Sequence, residues 1–83
     1  MHYVYVLKSL TDGKFYLGAT EDLKRRFSEH QNGESRATRN RKPFVLVYYE
    51  AYQSKKDALI RERKLKQFKN TYKRLIERLA NSA

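Results

Sequence analysis

The segment from Phe15 to Gly33 constrains the fold most, because it must change from a strand to a helix within a few residues. Residues 15–17 form a short apolar run typical of a strand. Thr20 is the predicted N-cap of a helix over about 21–32, because its hydroxyl can accept from a free N–H of the first turn. Gly33 can adopt the left-handed conformation that ends a helix. The segment therefore predicts a strand, a turn and a helix in succession.

The inner face of this predicted helix contains polar side chains. Leu23, Phe27 and His30 fall at positions i, i+4 and i+7, and Arg26 falls at i+3, so all four share one face. Arg26 either lays its aliphatic stem over apolar surface or directs its planar guanidinium at a phosphate. His30 is either a half-buried histidine with satisfied hydrogen bonds or a group that assists proton transfer. The spacing alone leaves both interpretations open for each residue.

The length of 83 residues limits the chain to one domain, predicted to span 1–83. The absence of cysteine excludes disulfides and thiolate metal sites. The first residues lack the pattern of a signal peptide, and no apolar run approaches the roughly 20 residues that cross a bilayer. We therefore predict a cytoplasmic protein that does not enter a membrane.

The charge of the chain points to a polyanionic partner. Nineteen Lys and Arg residues outnumber nine Asp and Glu residues, which gives a net charge of +10. Such a field attracts polyanions and accelerates their encounter. The excess of lysine could instead serve solubility, but seven Tyr and four Phe accompany it, as in many nucleic-acid-binding proteins. Nucleic acid is therefore the leading partner, and an anionic membrane surface is the second.

Three strands are predicted from β-branched and aromatic runs. Residues 3–8 alternate between two faces, and Asp12-Gly13 is a hairpin signal that pairs them with 15–17. This antiparallel pairing should bring Tyr5 and Tyr16 close together. Residues 34–42 contain four basic side chains and predict an exposed, mobile loop. Residues 44–49 form a nearly continuous apolar run, which predicts a strand buried on both sides.

Two further helices complete the predicted fold. Ser54 with Asp57 resembles a capping box that opens the second helix. A break near residue 70 should separate it from a last helix over about 71–80, with fraying of residues 80–83. The fold class is therefore α/β (α+β), a small three-stranded antiparallel sheet flanked by helices in the order β-β-α-β-α-α. Its core should lie within about residues 3–70.

Glu62 is the most informative carboxylate, because it lies between Ala58 and Leu65 on the predicted inner face of the second helix. A buried carboxylate is costly without a cation beside it. It could pair with Arg26 or a nearby Lys, or a slight rotation of the helix could expose it. It could also bind Mg²⁺, which often takes only one or two carboxylates from a protein.

Taken together, these residues resemble the core of the GIY-YIG nuclease superfamily. The resemblance covers about residues 3–70 and is closest to the small stand-alone bacterial members that contain little besides this domain. The first motif reads Val-Tyr-Val and keeps only the tyrosine of the family pattern, and the second motif has Leu17 in place of Ile. Neither departure removes a reactive group. The matching residues are Val4-Tyr5-Val6, Tyr16-Leu17-Gly18, Thr20, Leu23, Arg26, His30, Ala58, Glu62, Leu65 and Lys66.

The resemblance implies cleavage of phosphodiester bonds with one divalent metal ion, Mg²⁺ or Mn²⁺. By position, Glu62 would hold the metal and Arg26 would stabilise charge on the phosphoryl group. Tyr5 or Tyr16 would accept a proton from the attacking water, and His30 would relay it. A tyrosine is a poor base near pH 7 unless cations lower its pKa, and Arg26, the metal and the overall charge should act in that direction.

The predicted function is a metal-dependent endonuclease acting on DNA, with DNA repair or recombination as a role. Because 83 residues leave no room for an added recognition domain, selectivity should follow DNA structure rather than sequence. The alternatives are a non-cleaving nucleic-acid-binding module on the same fold and a basic protein that binds an acidic protein or a membrane. No obligate protein partner is evident, and the chain should be a monomer or weak dimer. The residues expected to follow the substrate backbone are Lys14, Arg25, Arg36, Arg39, Arg41, Lys42, Lys66 and Lys69.

Overall fold

Three strands and three α-helices form the molecule in the predicted order β-β-α-β-α-α. The structure, a computed structural model, describes residues 1–80. Of the predicted fraying of 80–83, only Ala80 is described, as the last residue of a helix, and the rest lies outside the described residues. None of the helices within this part of the chain is long and apolar enough to cross a membrane. The elements are β1 (His2–Ser9), β2 (Phe15–Thr20), α1 (Leu23–Gln31), a short 3-10 helix (Arg39–Arg41), β3 (Phe44–Tyr52), α2 (Lys55–Gln67) and α3 (Lys69–Ala80).

The sheet is antiparallel with the order β2-β1-β3, which confirms the predicted fold class. Strand β1 lies in the centre of the sheet. Its side chains alternate between two cores, and this alternation was predicted. Val4 and Val6 pack with Leu65 of α2 and with α3 on one side of the sheet. Tyr5 and Leu7 pack on the other side, where α1 covers the sheet. Tyr5, the catalytic candidate of β1, therefore faces α1.

Strand β3 is an edge strand, so the prediction that it is buried on both sides is wrong. Val45 is 39% exposed and Tyr49 is 55% exposed, whereas every residue of β1 from Val4 to Leu7 is buried. An apolar run has the same pattern in a central and an edge strand. The order of the strands, which depends on tertiary packing, places β1 rather than β3 between two neighbours.

The hairpin between β1 and β2 is confirmed. Gly13 has a φ of +72°, which a side chain would disfavour. The Asp12 carboxylate accepts a hydrogen bond from the Lys14 backbone N–H at 2.8 Å and forms an ion pair with Arg41 at 2.8 Å. The turn is therefore stabilised by a hydrogen bond within it and by an ion pair to the segment that precedes β3.

The N-cap of helix α1 lies two residues later than the predicted one. Asp22 rather than Thr20 is the N-cap, and its carboxylate accepts from the Arg25 backbone N–H at 3.1 Å. Thr20 remains in β2, where it pairs with Tyr3, and therefore cannot supply the cap. Gly33 has a φ of +75° directly after the helix, which confirms the predicted C-terminal stop.

Helices α2 and α3 cover the opposite side of the sheet. The Ser54 hydroxyl accepts from the Asp57 backbone N–H at 3.3 Å and caps α2, as predicted. Phe68 separates the two helices, which confirms a break near residue 70. Ala58 and Leu65 are buried, whereas Leu59 and Phe68 are exposed.

The segment 34–42 is packed onto the protein, so the prediction of an exposed loop is wrong for part of it. Ser35 and Thr38 are buried, and the 3-10 helix ends against β1. The Ser9 hydroxyl donates to the Arg41 backbone oxygen at 2.5 Å. Sequence periodicity could not reveal this packing, since the buried side chains are small and polar.

Candidate active site

Tyr5 and Gly18 meet in the centre of the site because they face each other across β1 and β2. The Tyr5 ring lies directly over Gly18, and a methyl group at Gly18 would come within 2.5 Å of the ring carbon Cζ. Residue 18 must therefore lack a side chain if the Tyr5 ring is to cross β2. The ring places its hydroxyl beneath α1, and the residue is only 1% exposed.

His30 connects Tyr5 to the basic segment. Its Nε2 lies 2.9 Å from the Tyr5 hydroxyl, and its Nδ1 lies 2.7 Å from the Thr38 Oγ1. The imidazole is fully buried, and the Tyr16 ring packs edge-to-face against it at 5.1 Å between centroids. Burial lowers the pKa of His30, and the nearby charge of Arg26 lowers it further, so the ring is neutral near pH 7. Tyr5 and Tyr16, which were predicted to lie close together, therefore both contact the same neutral histidine.

Arg26 lies at the solvent side of this cluster, with a third of its side chain exposed. Its Nη1 donates to the Glu29 carboxylate at 2.9 Å, one turn further along α1. The guanidinium also interacts with the Tyr5 hydroxyl, which lowers the pKa of that tyrosine. Glu29 thus holds Arg26 in place, while part of the Arg26 side chain remains accessible to an anionic ligand.

Arg26 lowers the pKa of Tyr5, as expected, but its influence is outweighed by burial of the hydroxyl. Burial raises the pKa of Tyr5 to about 12, and the interaction with Arg26 opposes that rise without overcoming it. The charges of Tyr16 and Glu62 raise it slightly further. Tyrosinate is therefore rare near pH 7, and Tyr5 can take a proton only if it releases its own.

Glu62 projects from α2 and is partly accessible, with 19% of its side chain exposed. Its carboxylate forms an ion pair with Lys66 at 3.3 Å, so the alternative of a nearby lysine is correct and the alternative of Arg26 is not. Its charge nevertheless acts on Tyr5. The carboxylate therefore belongs to the electrostatic environment of the cluster.

A divalent metal fits Glu62 only in an open coordination shell. Within residues 1–80, no group of three or more His, Asp or Glu side chains could enclose an ion. Mg²⁺ commonly binds one or two carboxylates and completes its shell with water and substrate phosphate. The hard oxygen donors of Glu62 suit such an ion, which would compete with Lys66 for the carboxylate.

An open groove beside the cluster carries basic and aromatic side chains. It has a volume of about 640 Å³ and lies between β2 and the helices α2 and α3. Tyr16 and Tyr72 contribute aromatic surface, and Lys66, Lys69 and Lys73 contribute positive charge. The groove thus joins a catalytic candidate to two of the predicted nucleic-acid-binding lysines.

The remaining predicted nucleic-acid-binding residues differ in how accessible they are to a nucleic acid. Arg41 forms an ion pair with Asp12, and its guanidinium lies 5.8 Å from the Phe44 ring centroid. Both contacts hold Arg41 against the protein, so it is less available to a nucleic acid than the exposed residues. Arg25 is mostly exposed but bonds to Glu29 at 3.3 Å. The other exposed candidates are Lys14, Arg36, Arg39, Lys42, Lys66 and Lys69.

Two residues of the site were missed by sequence reasoning. Glu29 holds Arg26, and its position three residues later on one helix could have identified the pair. Thr38 holds His30 from eight residues away, and no pattern in the basic segment signals its burial. Only the packing of that segment reveals it.

The chain is similar to known proteins over nearly its whole length. The GIY-YIG catalytic domain matches residues 1–75. A UPF0213 protein of Halobacterium salinarum is 40% identical over 74 residues, which cover 88% of this chain and 95% of that protein. A UPF0213 protein of Staphylococcus saprophyticus is 40% identical over 68 residues, which cover 81% and 82%.

A solved structure shows the same fold. The solution structure of a UPF0213 protein from Bacillus halodurans has a TM-score of 0.58 and 37% identity to this chain. The match covers 92% of this chain and 82% of that one. The family match, these relatives and the shared fold all point to one family. The chain belongs to the GIY-YIG family of nuclease domains, among its small UPF0213 members.

Proposed function

We propose that this protein is a divalent-metal-dependent endonuclease that hydrolyses phosphodiester bonds in DNA. The observation that carries the proposal is the hydrogen-bonded chain from Tyr5 through His30 to Thr38, with Arg26 close enough to lower the pKa of Tyr5. It places a partly accessible cation for a phosphate beside a hydroxyl that is hydrogen-bonded to a neutral base. Such a combination can bind a phosphodiester and also remove a proton from water.

The geometry supports a concerted proton relay rather than a free tyrosinate. As the attacking water gives its proton to the Tyr5 oxygen, Tyr5 gives its own proton to His30 Nε2, 2.9 Å away. The resulting hydroxide bonds to phosphorus. The P–O bond to the leaving oxygen breaks with its electron pair, and that oxygen takes a proton from solvent. His30 then returns its extra proton to solvent through Tyr5, and the site is restored.

The negative charge of the transition state would be stabilised by Arg26 and by an ion that Glu62 would hold. The negative charge that builds on the phosphoryl oxygens would be stabilised by the Arg26 guanidinium, which Glu29 holds in place. Mg²⁺ or Mn²⁺ at Glu62 would supply further positive charge next to the phosphate and the leaving group. Tyr16 is the alternative proton acceptor, but its ring only packs against His30, whereas Tyr5 is hydrogen-bonded to it.

Selectivity is proposed to follow DNA structure rather than base sequence. Exposed lysines and arginines recognise phosphates, which position a strand without reading its sequence. The groove beside Tyr16 could accept a backbone that departs from a regular duplex. A role in DNA repair or recombination would use such selectivity.

The test is cleavage of supercoiled, branched and single-stranded DNA with Mg²⁺ or with EDTA. Arg26→Ala should lower kcat by about 100-fold or more, by analogy with the loss of one transition-state hydrogen-bond donor. Arg25→Ala removes the same charge from the neighbouring position, 76% of which is exposed, and should mainly raise KM. Equal effects of the two variants on kcat would refute the assignment of Arg26.

The alternative function is a nucleic-acid-binding module that does not cleave. The same experiment distinguishes it, because binding would persist without metal-dependent products. Salt-sensitive DNA binding with no cleavage of any substrate would replace the endonuclease proposal with this one.

A further inference from the structure

The Glu50 carboxylate lies where strand β3 meets helix α2, and side chains from both elements bond to it. The Tyr48 hydroxyl donates at 2.5 Å and the Tyr52 hydroxyl donates at 2.6 Å. Arg61 of α2 donates through Nε at 2.9 Å and through Nη2 at 3.0 Å. Only 15% of the Glu50 side chain is exposed, so these donors replace water around the carboxylate.

The contact between Arg61 and Glu50 is directional, because both partners are charged and the guanidinium is planar. Burial raises the pKa of Glu50, but the bonds from Arg61, Tyr48 and Tyr52 outweigh burial and leave that pKa below its ordinary value. The carboxylate is therefore ionised near pH 7. A two-point bond between a guanidinium and a carboxylate fixes their relative orientation as well as their distance.

Stability alone does not account for an ion pair in this position. Removing two charges from water costs about as much as their attraction returns, and apolar side chains of similar volume often stabilise a protein equally well. Apolar contacts lack direction, since the hydrophobic effect depends on the area buried and not on an angle. The distinct contribution of the pair between Glu50 and Arg61 is therefore to the orientation of α2.

The geometry of the helix connects this pair to Glu62. Ala58 and Leu65, the two buried residues of α2, are seven positions apart and lie on one line along the helix. Neighbouring residues of an α-helix project about 100° apart. Arg61 and Glu62 therefore lie on opposite flanks of the buried line, with Arg61 towards β3 and Glu62 away from it.

A competing rotation of α2 would be favoured by burial of apolar surface. Leu59 lies three positions before Glu62, on the same flank, and is 42% exposed. If the helix rolled to bury Leu59, Glu62 would turn towards the sheet and Arg61 would turn away from Glu50. The two-point bond would then break, so the pair between Glu50 and Arg61 opposes this rotation.

We propose that Glu50 is a positioning residue that sets the rotation of α2 through Arg61, and thereby directs the Glu62 carboxylate to where an ion can reach it. The consequence for an ion rests on the proposed endonuclease function, whereas the rotation of α2 does not. The pair holds the helix from the β3 side and leaves the opposite flank free for Glu62.

The first measurement needs neither a metal ion nor DNA. The N–H residual dipolar couplings along a helix vary periodically, and the phase of that variation reports the rotation of the helix about its axis. Glu50→Met/Arg61→Met replaces the pair with apolar side chains and leaves the net charge unchanged. Tyr48 and Tyr52 are partly exposed, so their hydroxyls can bond to water instead. We expect this double variant to melt within about 5 °C of the parent, while the phase for α2 shifts or the couplings shrink.

Arg61→Lys is the second variant, because lysine keeps the charge but cannot form the two-point bond. It should shift the phase for α2 in the same direction by a smaller amount. Arg63→Lys makes the same substitution at an exposed position of α2 and is the matched control. Parental couplings of α2 in both the double variant and Arg61→Lys would overturn the proposal. If the double variant fails to fold, the comparison of Arg61→Lys with Arg63→Lys decides it.

Binding of Mn²⁺, followed by line broadening of the amide signals around Glu62, provides the second readout. Loss of a residue that orients a metal ligand typically weakens metal binding by about 10–100-fold, so the double variant should need about tenfold more Mn²⁺ or more. A rotated helix with parental Mn²⁺ affinity would contradict the link from Glu50 to Glu62. If Mn²⁺ broadens no signals near Glu62 in the parent, the proposed metal site fails, while the dipolar couplings still decide whether Glu50 orients α2.

Discussion

Replacement of Tyr5 by Phe should separate two consequences of one hydroxyl group. The substitution keeps the ring over Gly18 and removes only the oxygen that contacts His30 and Arg26. The buried Nε2 of His30 then loses its partner. The relay also loses the group that would receive the proton of water.

The structure sets the expected size of each effect. A buried polar group left without its partner costs about 1–3 kcal/mol of stability. For a domain of this size, each 1 kcal/mol lowers the melting temperature by about 4–8 °C. Loss of the proton acceptor should lower kcat by about 10²–10⁴-fold. The protein should therefore stay folded at 25 °C and cleave DNA far more slowly.

The assay combines thermal unfolding with single-turnover cleavage of DNA in the presence of Mg²⁺. Tyr49→Phe is the matched control, because Tyr49 lies opposite Tyr5 in the sheet but is 55% exposed. It should change stability by no more than about 0.5 kcal/mol and leave the cleavage rate unaltered. Cleavage by Tyr5→Phe at the parental rate would refute the relay and would leave Tyr16 as the proton acceptor.

Two further predictions concern packing and pH. Gly18→Ala should displace the Tyr5 ring, cost about 1–3 kcal/mol of stability and slow cleavage. Gly13→Ala adds a methyl group with no atom within 4 Å and should lower stability without slowing cleavage. Equal cleavage rates for the two variants would contradict the role of Gly18. The bond to Arg41 lowers the pKa of Asp12 from 3.8 to about 2, so the bond stabilises the fold above about pH 4 and is lost as the pH falls through 2. Asp12→Asn should therefore melt at a lower temperature than the parent at pH 7, and the difference should shrink towards pH 2; a difference that is independent of pH would contradict the assignment.

Local patterns in the sequence were sufficient to predict the elements that carry the site. The alternation in residues 3–8 placed Tyr5 on the face opposite Val4, and the helical spacing placed His30 with Leu23 on the inner face of α1. These outcomes follow from the periods of strands and helices, which are properties of neighbouring residues. Fold class and element order follow from the same patterns.

Features that depend on tertiary packing could not be predicted in this way. The apolar run of β3 does not show whether the strand lies at an edge. The raised pKa of Tyr5 results from burial of its hydroxyl beneath α1, which no nearby residue in the sequence indicates. Thr38 is likewise recognised only because the segment 34–42 folds back onto His30.

The most direct test of the central claim is the nicking rate of supercoiled plasmid by the parent and by Glu62→Gln in Mg²⁺. Asp57→Asn removes one negative charge from an exposed position of the same helix and is the control. The account predicts that Glu62→Gln nicks at the background rate seen with EDTA and still binds DNA, while Asp57→Asn nicks like the parent. Nicking by Glu62→Gln at the parental rate would contradict the assignment of the metal to Glu62.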